Sequence, residues 1–109
     1  MKYMIMTKFL KNSDVRRLIS SIDDTDTMVF FNSGNVWSIM IMKNADGTYY
    51  FSSEPINGNY LDSPMPSDDE LSLEQVIMDV CDWNGLSFDG AYKNDENTGC
   101  QVKIENFGN

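Results

Sequence analysis

The run Thr27-Met28-Val29-Phe30-Phe31-Asn32-Ser33-Gly34-Asn35-Val36-Trp37-Ser38-Ile39-Met40-Ile41-Met42-Lys43-Asn44-Ala45-Asp46-Gly47-Thr48-Tyr49-Tyr50-Phe51-Ser52-Ser53-Glu54 decides the fold. It holds three segments rich in β-branched and aromatic side chains, each bounded by turn residues. The first strand is predicted over 27–31 and ends in Asn32-Ser33-Gly34-Asn35. The second, over 36–43, is apolar at nearly every position, which predicts a central strand covered on both faces. The third covers 48–54. Asn44-Ala45-Asp46-Gly47 joins the last two, with Gly47 free to take the left-handed conformation that closes a short bulged hairpin.

Helical periodicity flanks this meander. Val15, Leu18, Ile19 and Ile22 recur at i, i+3, i+4 and i+7, one apolar stripe. Ser13 reads as its N-cap, Asp14 suits the positive helix end, and Asp23-Asp24-Thr25-Asp26 breaks the pattern. Downstream, Ser72-Leu73-Glu74-Gln75 is a capping box. It predicts a helix over 73–83 that buries Leu73, Val76, Ile77, Val80 and Cys81 and stops at Asn84-Gly85. Residues 55–71, punctuated by Pro55, Gly58, Pro64 and Pro66, read as a loop ending in Asp68-Asp69-Glu70. Residues 1–6 read as a short strand. Two further strands are predicted over 86–93 and 100–107, with 94–99 as their turn. The pattern specifies one small α+β domain: an antiparallel sheet, formed by a three-stranded meander plus a C-terminal hairpin, packed by two helices.

The chain has 109 residues, enough for one core and too few for two domains. Seventeen acids against eight bases leave a net charge of −9. This argues against direct nucleic-acid binding, which needs clustered cations to displace counterions. No histidine is present, which excludes histidine triads, histidine metal sites and imidazole acid–base schemes. Cys81 and Cys100 form no CxxC pattern and read as reduced thiols in a cytoplasmic protein. The N-terminal apolar run is broken by Lys8 and lacks a cleavage site, and no segment is long enough for a membrane helix.

Charge is unevenly distributed. Residues 1–17 hold five bases and one acid, whereas residues 18–109 hold three bases and sixteen acids. Such a chain either packs its basic end on its own acidic face or presents the acids to a partner. No Lys or Arg lies between Asp46 and Asp89, a stretch containing Asp68, Asp69, Glu70, Glu74, Asp79 and Asp82. Asp79 and Asp82 sit near the predicted helix C-terminus, where the backbone dipole disfavours negative charge. An acidic row in that position reads as a phosphate-like surface for a basic groove. An ordinary solvated face is the alternative. Among the aromatics, Trp37 and Phe51 read as core, and Tyr60, in the proline-bounded loop, as the contact residue.

Other chemistry is weakly signalled. Asn94-x-Glu96-x-Thr98-Gly99 with Glu105 partly follows a calcium loop, but its flanks read as strands and its first aspartate is replaced. It reads as a polar hairpin turn. No pair of carboxylates is marked for acid–base work, and Cys81 lacks a base. The pairs Met4/Met6 and Met40/Met42 read as adaptable core rather than a soft-metal site. No cofactor, metal or catalytic group is expected.

The expected function is non-enzymatic: an inhibitor whose acids occupy the nucleic-acid site of a basic protein such as a nuclease. Small size, richness in Asn and Met, and the missing catalytic constellation match, as a class, phage-encoded DNA mimics of the anti-CRISPR or anti-restriction kind. The expected partner is thus a basic protein in the host cytoplasm, bound by a monomer or homodimer, with no membrane involved. The element order also loosely resembles secretion-effector chaperones without their terminal helix. This keeps an acidic chaperone or adaptor, or an immunity protein, as the alternative.

Overall fold

The computed structural model describes residues 9–56 and 67–109. The strand expected over residues 1–6, the Met4/Met6 pair and Tyr60 lie outside them. The elements run α1 (Asn12–Ser20), β1 (Thr27–Ser33), β2 (Trp37–Lys43), β3 (Tyr49–Pro55), β4 (Ser67–Leu71), α2 (Leu73–Cys81), β5 (Leu86–Asn94) and β6 (Gln101–Lys103). The six strands form one antiparallel sheet in the order β4-β3-β2-β1-β5-β6. The predicted meander forms its centre, and the C-terminal hairpin extends the same sheet through β1.

Both helices lie on one face. Register places Val29 opposite Ile41 and Ala91, and Ile41 opposite Phe51. These side chains point the same way because sheet residues alternate faces. They share a core with Val15, Leu18, Ile19 and Ile22 before the sheet and with Val76, Ile77 and Val80 from α2. The first four are at most 2% exposed, so the i, i+3, i+4, i+7 stripe is the buried one. Burying each such side chain contributes roughly 1.5–3 kcal/mol.

Several boundaries differ from expectation. The cap of α1 is Lys11, not Ser13. Asp14 reaches back to accept the Lys11 amide at 2.9 Å, so helix begins two residues earlier. Helix α2 ends at Cys81 rather than residue 83, because the Trp83 amide turns to the Val80 carbonyl and the ring packs against Trp37, 5.4 Å between centroids. Gly85 has φ 62°, which closes the turn into β5 at no side-chain cost. Strand β2 is central but not covered alike on both faces. Ile39 and Ile41 are buried, whereas Met40 and Met42 on the other face are half-buried, because both helices pack on one side.

The expected loop over 55–71 hides a strand. Pro55 closes β3, and Ser67–Leu71 pairs with β3 as the sheet edge. Leu71 opposes Tyr49 and Asp68 opposes Phe51, so one extra residue bulges between them, and Glu70 takes φ 56°. Acids have low strand propensity, which conceals such a strand from pattern reading. On an edge they are suitable, since charge there opposes pairing with another chain. At the other edge β6 is only three residues long. Beyond it the Ile104 amide still donates to the Ala91 carbonyl, and Phe107 turns back to stack on Phe88.

Candidate acidic binding site

Ser72 and Gln75 form the predicted capping box: the Gln75 amide donates to the Ser72 hydroxyl at 3.2 Å, and the Ser72 amide to Oε1 of Gln75 at 3.0 Å. This fixes the start of α2 directly after β4. It also fixes its rotation, with Val76, Ile77 and Val80 inward. Asp79 then falls on the flank that faces the β3–β4 edge, and the turn after Cys81 brings Trp83 to the same place.

There Asp68 of β4 meets Asp79 and Asp82 across a notch of about 300 Å³ that Phe51, Ser67 and Trp83 complete. No cation lines it. Partial burial is the main cause that raises the Asp79 carboxyl above the ordinary range, and the charges of Asp68 and Asp82 add to it. The site is therefore an apolar-walled recess rimmed by three like charges, one of them held against its own desolvation.

The other predicted acids are placed differently. Asp69 and Glu70 continue along the edge strand beside Asp68. Asp69 accepts from Nδ2 of Asn44 at 2.7 Å and from the Glu70 amide at 2.7 Å. Glu74 does not join the notch. It lies on the opposite flank of α2, where Arg16 grips it with two bonds of 2.5 and 2.7 Å. That guanidinium holds its carboxyl below the ordinary range. Glu74 is thus removed from the unpaired row by a cation 58 positions away in sequence. Arg16, one of the cations of the basic first seventeen residues, meets one of the molecule's own acids at this point.

Three other cations are also engaged at home. Arg17 pairs with Asp14 at 3.3 Å, Lys93 with Asp24 at 2.6 Å, and Lys43 lies 5.9 Å over the Tyr49 ring. Trp83 lines the notch although the sequence reading does not single it out; its spacing of four from Asp79 on the helix predicted over 73–83 is the signal available. Phe51 reads as core and is core, being 5% exposed, but it also reaches the notch. Nothing in local pattern marks that second role.

Among the described residues no group of three or more His, Cys, Asp or Glu is placed to hold a metal ion. The 94–99 segment forms a hairpin turn closed by the Asp95 amide on the Cys100 carbonyl at 2.8 Å. Cys81 and Cys100 are free thiols. Burial pushes the Cys81 thiol up, opposite to the shift an activated nucleophile needs. Among the described residues no helix is long and apolar enough to cross a membrane. No protein-family model matches the chain, no curated protein matches it, and no solved structure matches its fold.

Proposed function

We propose that this chain is a non-enzymatic inhibitor whose acidic surface occupies the basic nucleic-acid site of a nuclease or another DNA-binding protein, in the manner of a DNA mimic encoded by a phage. The observation that carries the reading is the notch: three carboxylates on an aromatic wall, with no cation among the described residues lining it, while Arg16, Arg17 and Lys93 pair elsewhere. A guanidinium or ammonium group of a partner fits this chemistry. The carboxylates accept its hydrogen bonds, and the faces of Trp83 and Phe51 attract the cation. Asp69 and Glu70 continue the negative row along the edge, and association releases counterions from both surfaces. An immunity protein against a basic toxin would use the same chemistry.

A second reading, an acidic adaptor or chaperone, draws on apolar residues at one end of the sheet. Phe9, Val36 and Ile56 are each about half exposed, and the Ile56 amide donates to the Val36 carbonyl.

The test is competition. A nuclease captured by the chain should be displaced by duplex DNA, and its affinity should fall steeply as salt rises from ~0.05 to ~0.2 M. The variant D68N/D79N/D82N should fold normally and lose inhibition. Undiminished inhibition by that variant, or salt-insensitive binding that DNA does not contest, rejects the mimic and favours the adaptor.

A further inference from the structure

We propose that two copies of this chain associate through the sheet face that the helices leave open, about a two-fold axis parallel to the strands and passing between β1 and β2. Both helices pack on the side where Val29, Phe31, Ile39, Ile41 and Phe51 are buried. Strand alternation sends Phe30, Met40, Met42, Tyr50 and Tyr92 to the opposite side. They are half-buried, and Phe30 meets Tyr92 edge-on at 5.7 Å between centroids. Among the described residues no helix covers them.

The register sets these side chains in a row whose two ends differ in charge. Tyr50 opposes Met42, Tyr92 opposes Met28, and Lys103 opposes Tyr92. Met28 and Met42 each lie one residue beyond the pair Val29–Ile41, so they face each other. Asp69, the neighbour of Asp68 on β4, falls beside Tyr50. From edge to edge the row reads Asp69, Tyr50, Met42, Met28, Tyr92, Lys103. An acid closes one end, a base closes the other, and the middle is apolar. Neither end charge is spent within the described residues. Lys103 is exposed and makes no ion pair there, and Asp69 uses only Oδ1 to accept from Asn44 and the Glu70 amide.

That order identifies the occupant. Rotation about this axis keeps each residue's height along the strands and reverses the strand order. It lays Asp69 over Lys103 of the second copy, Tyr50 over Tyr92 and Met42 over Met28, and every contact occurs twice. One row along, Met40 of each copy meets Phe30 of the other, a thioether–aromatic contact. Aligned sheets cross at about 30°, and the long stem of Lys103 spans the offset this produces at the edges. Glu54 and Asp89 border the polar end of the face, both exposed, where water and salt screen their repulsion. The six strands, three to nine residues long and set about 4.8 Å apart, cover roughly 600 Å². Two copies thus bury about 1,200 Å², the lower end of specific interfaces, and a dimer of roughly micromolar affinity is expected. The acidic notch lies on the helix side of the sheet and stays accessible.

Sedimentation of the full chain without any partner tests this, from about 0.1 to about 100 μM chain. The wild type should pass from monomer to dimer across that range. M42E, K103E and D69K should each weaken the dimer about tenfold or more, with circular dichroism unchanged. K103E and D69K each set like charges together at both cross-contacts. Mixed in equal amounts, they should form a heterodimer about as tight as the wild-type dimer, because opposite charges then meet at both. M78E, in the groove between α1 and α2, should dimerise as the wild type does. A wild type that stays monomeric throughout overturns the proposal. So does M42E dimerising undiminished, a mixture no better than its components, or loss of the dimer in M78E. None of these readouts depends on the inhibitor reading.

Discussion

Asp24 closes the turn between α1 and β1 with four hydrogen bonds. Its Oδ1 accepts from the Asp26 amide, the Thr27 amide and the Thr27 hydroxyl at 3.0, 3.0 and 2.8 Å, and Lys93 donates to its Oδ2 at 2.6 Å. Lys93 foremost, then Thr27, lowers its carboxyl to about 2. Because the folded value lies below the unfolded one, the stabilisation is complete above pH ~4 and lost as pH falls toward ~2. The side chain is one-third exposed, so solvent screening reduces the gain. D24N should be about 1 kcal/mol less stable at neutral pH, by urea denaturation, and should lose less between pH ~4 and ~2 than the wild type. In sequence Asp23-Asp24-Thr25-Asp26 reads correctly as a helix-ending turn. Its cross-link to Lys93 is not readable, because β5 is brought beside β1 only by sheet pairing.

At the scale of an element, α2 shows where local pattern suffices and where it fails. The capping box and the apolar period give its start and its buried face. Its exposed acids look alike in sequence, yet Glu74 is neutralised by Arg16 while Asp79 faces Asp68 and Asp82. Asp79 therefore bears a cost in the folded state that Glu74 does not. Its raised folded value means that the penalty is present at neutral pH and is relieved as pH falls through the folded value, fully so below the unfolded one. D79N should stabilise the fold by about 0.5 kcal/mol in thermal or urea unfolding, since it also removes an anion from a helix C-terminus. If the proposed basic partner is bound at the notch, the same variant should bind it more weakly. Joint gain of stability and loss of binding marks the residue as part of a contact surface, whereas a merely solvated acid would change neither.

For the molecule as a whole, a charge of −9 on 109 residues produces self-repulsion that folding concentrates. Salt should therefore stabilise it. The melting temperature should rise between ~0.01 and ~0.1 M ionic strength, as the screening length shrinks from ~30 to ~10 Å. A melting temperature unchanged or lowered over that range would mean that the local ion pairs outweigh the repulsion. The sequence by itself determined the α+β class, the meander, both helical stripes, the Gly85 turn and the acid excess. Those depend on period, composition and turn chemistry, which act over a few neighbouring residues. Tertiary structure alone decided that 67–71 is an edge strand, since partners on β3 and not propensity hold it. It also decided which acids stay unpaired, because Arg16 reaches Glu74 only once α1 and α2 share a core, and opposition across that core is a long-range outcome of packing.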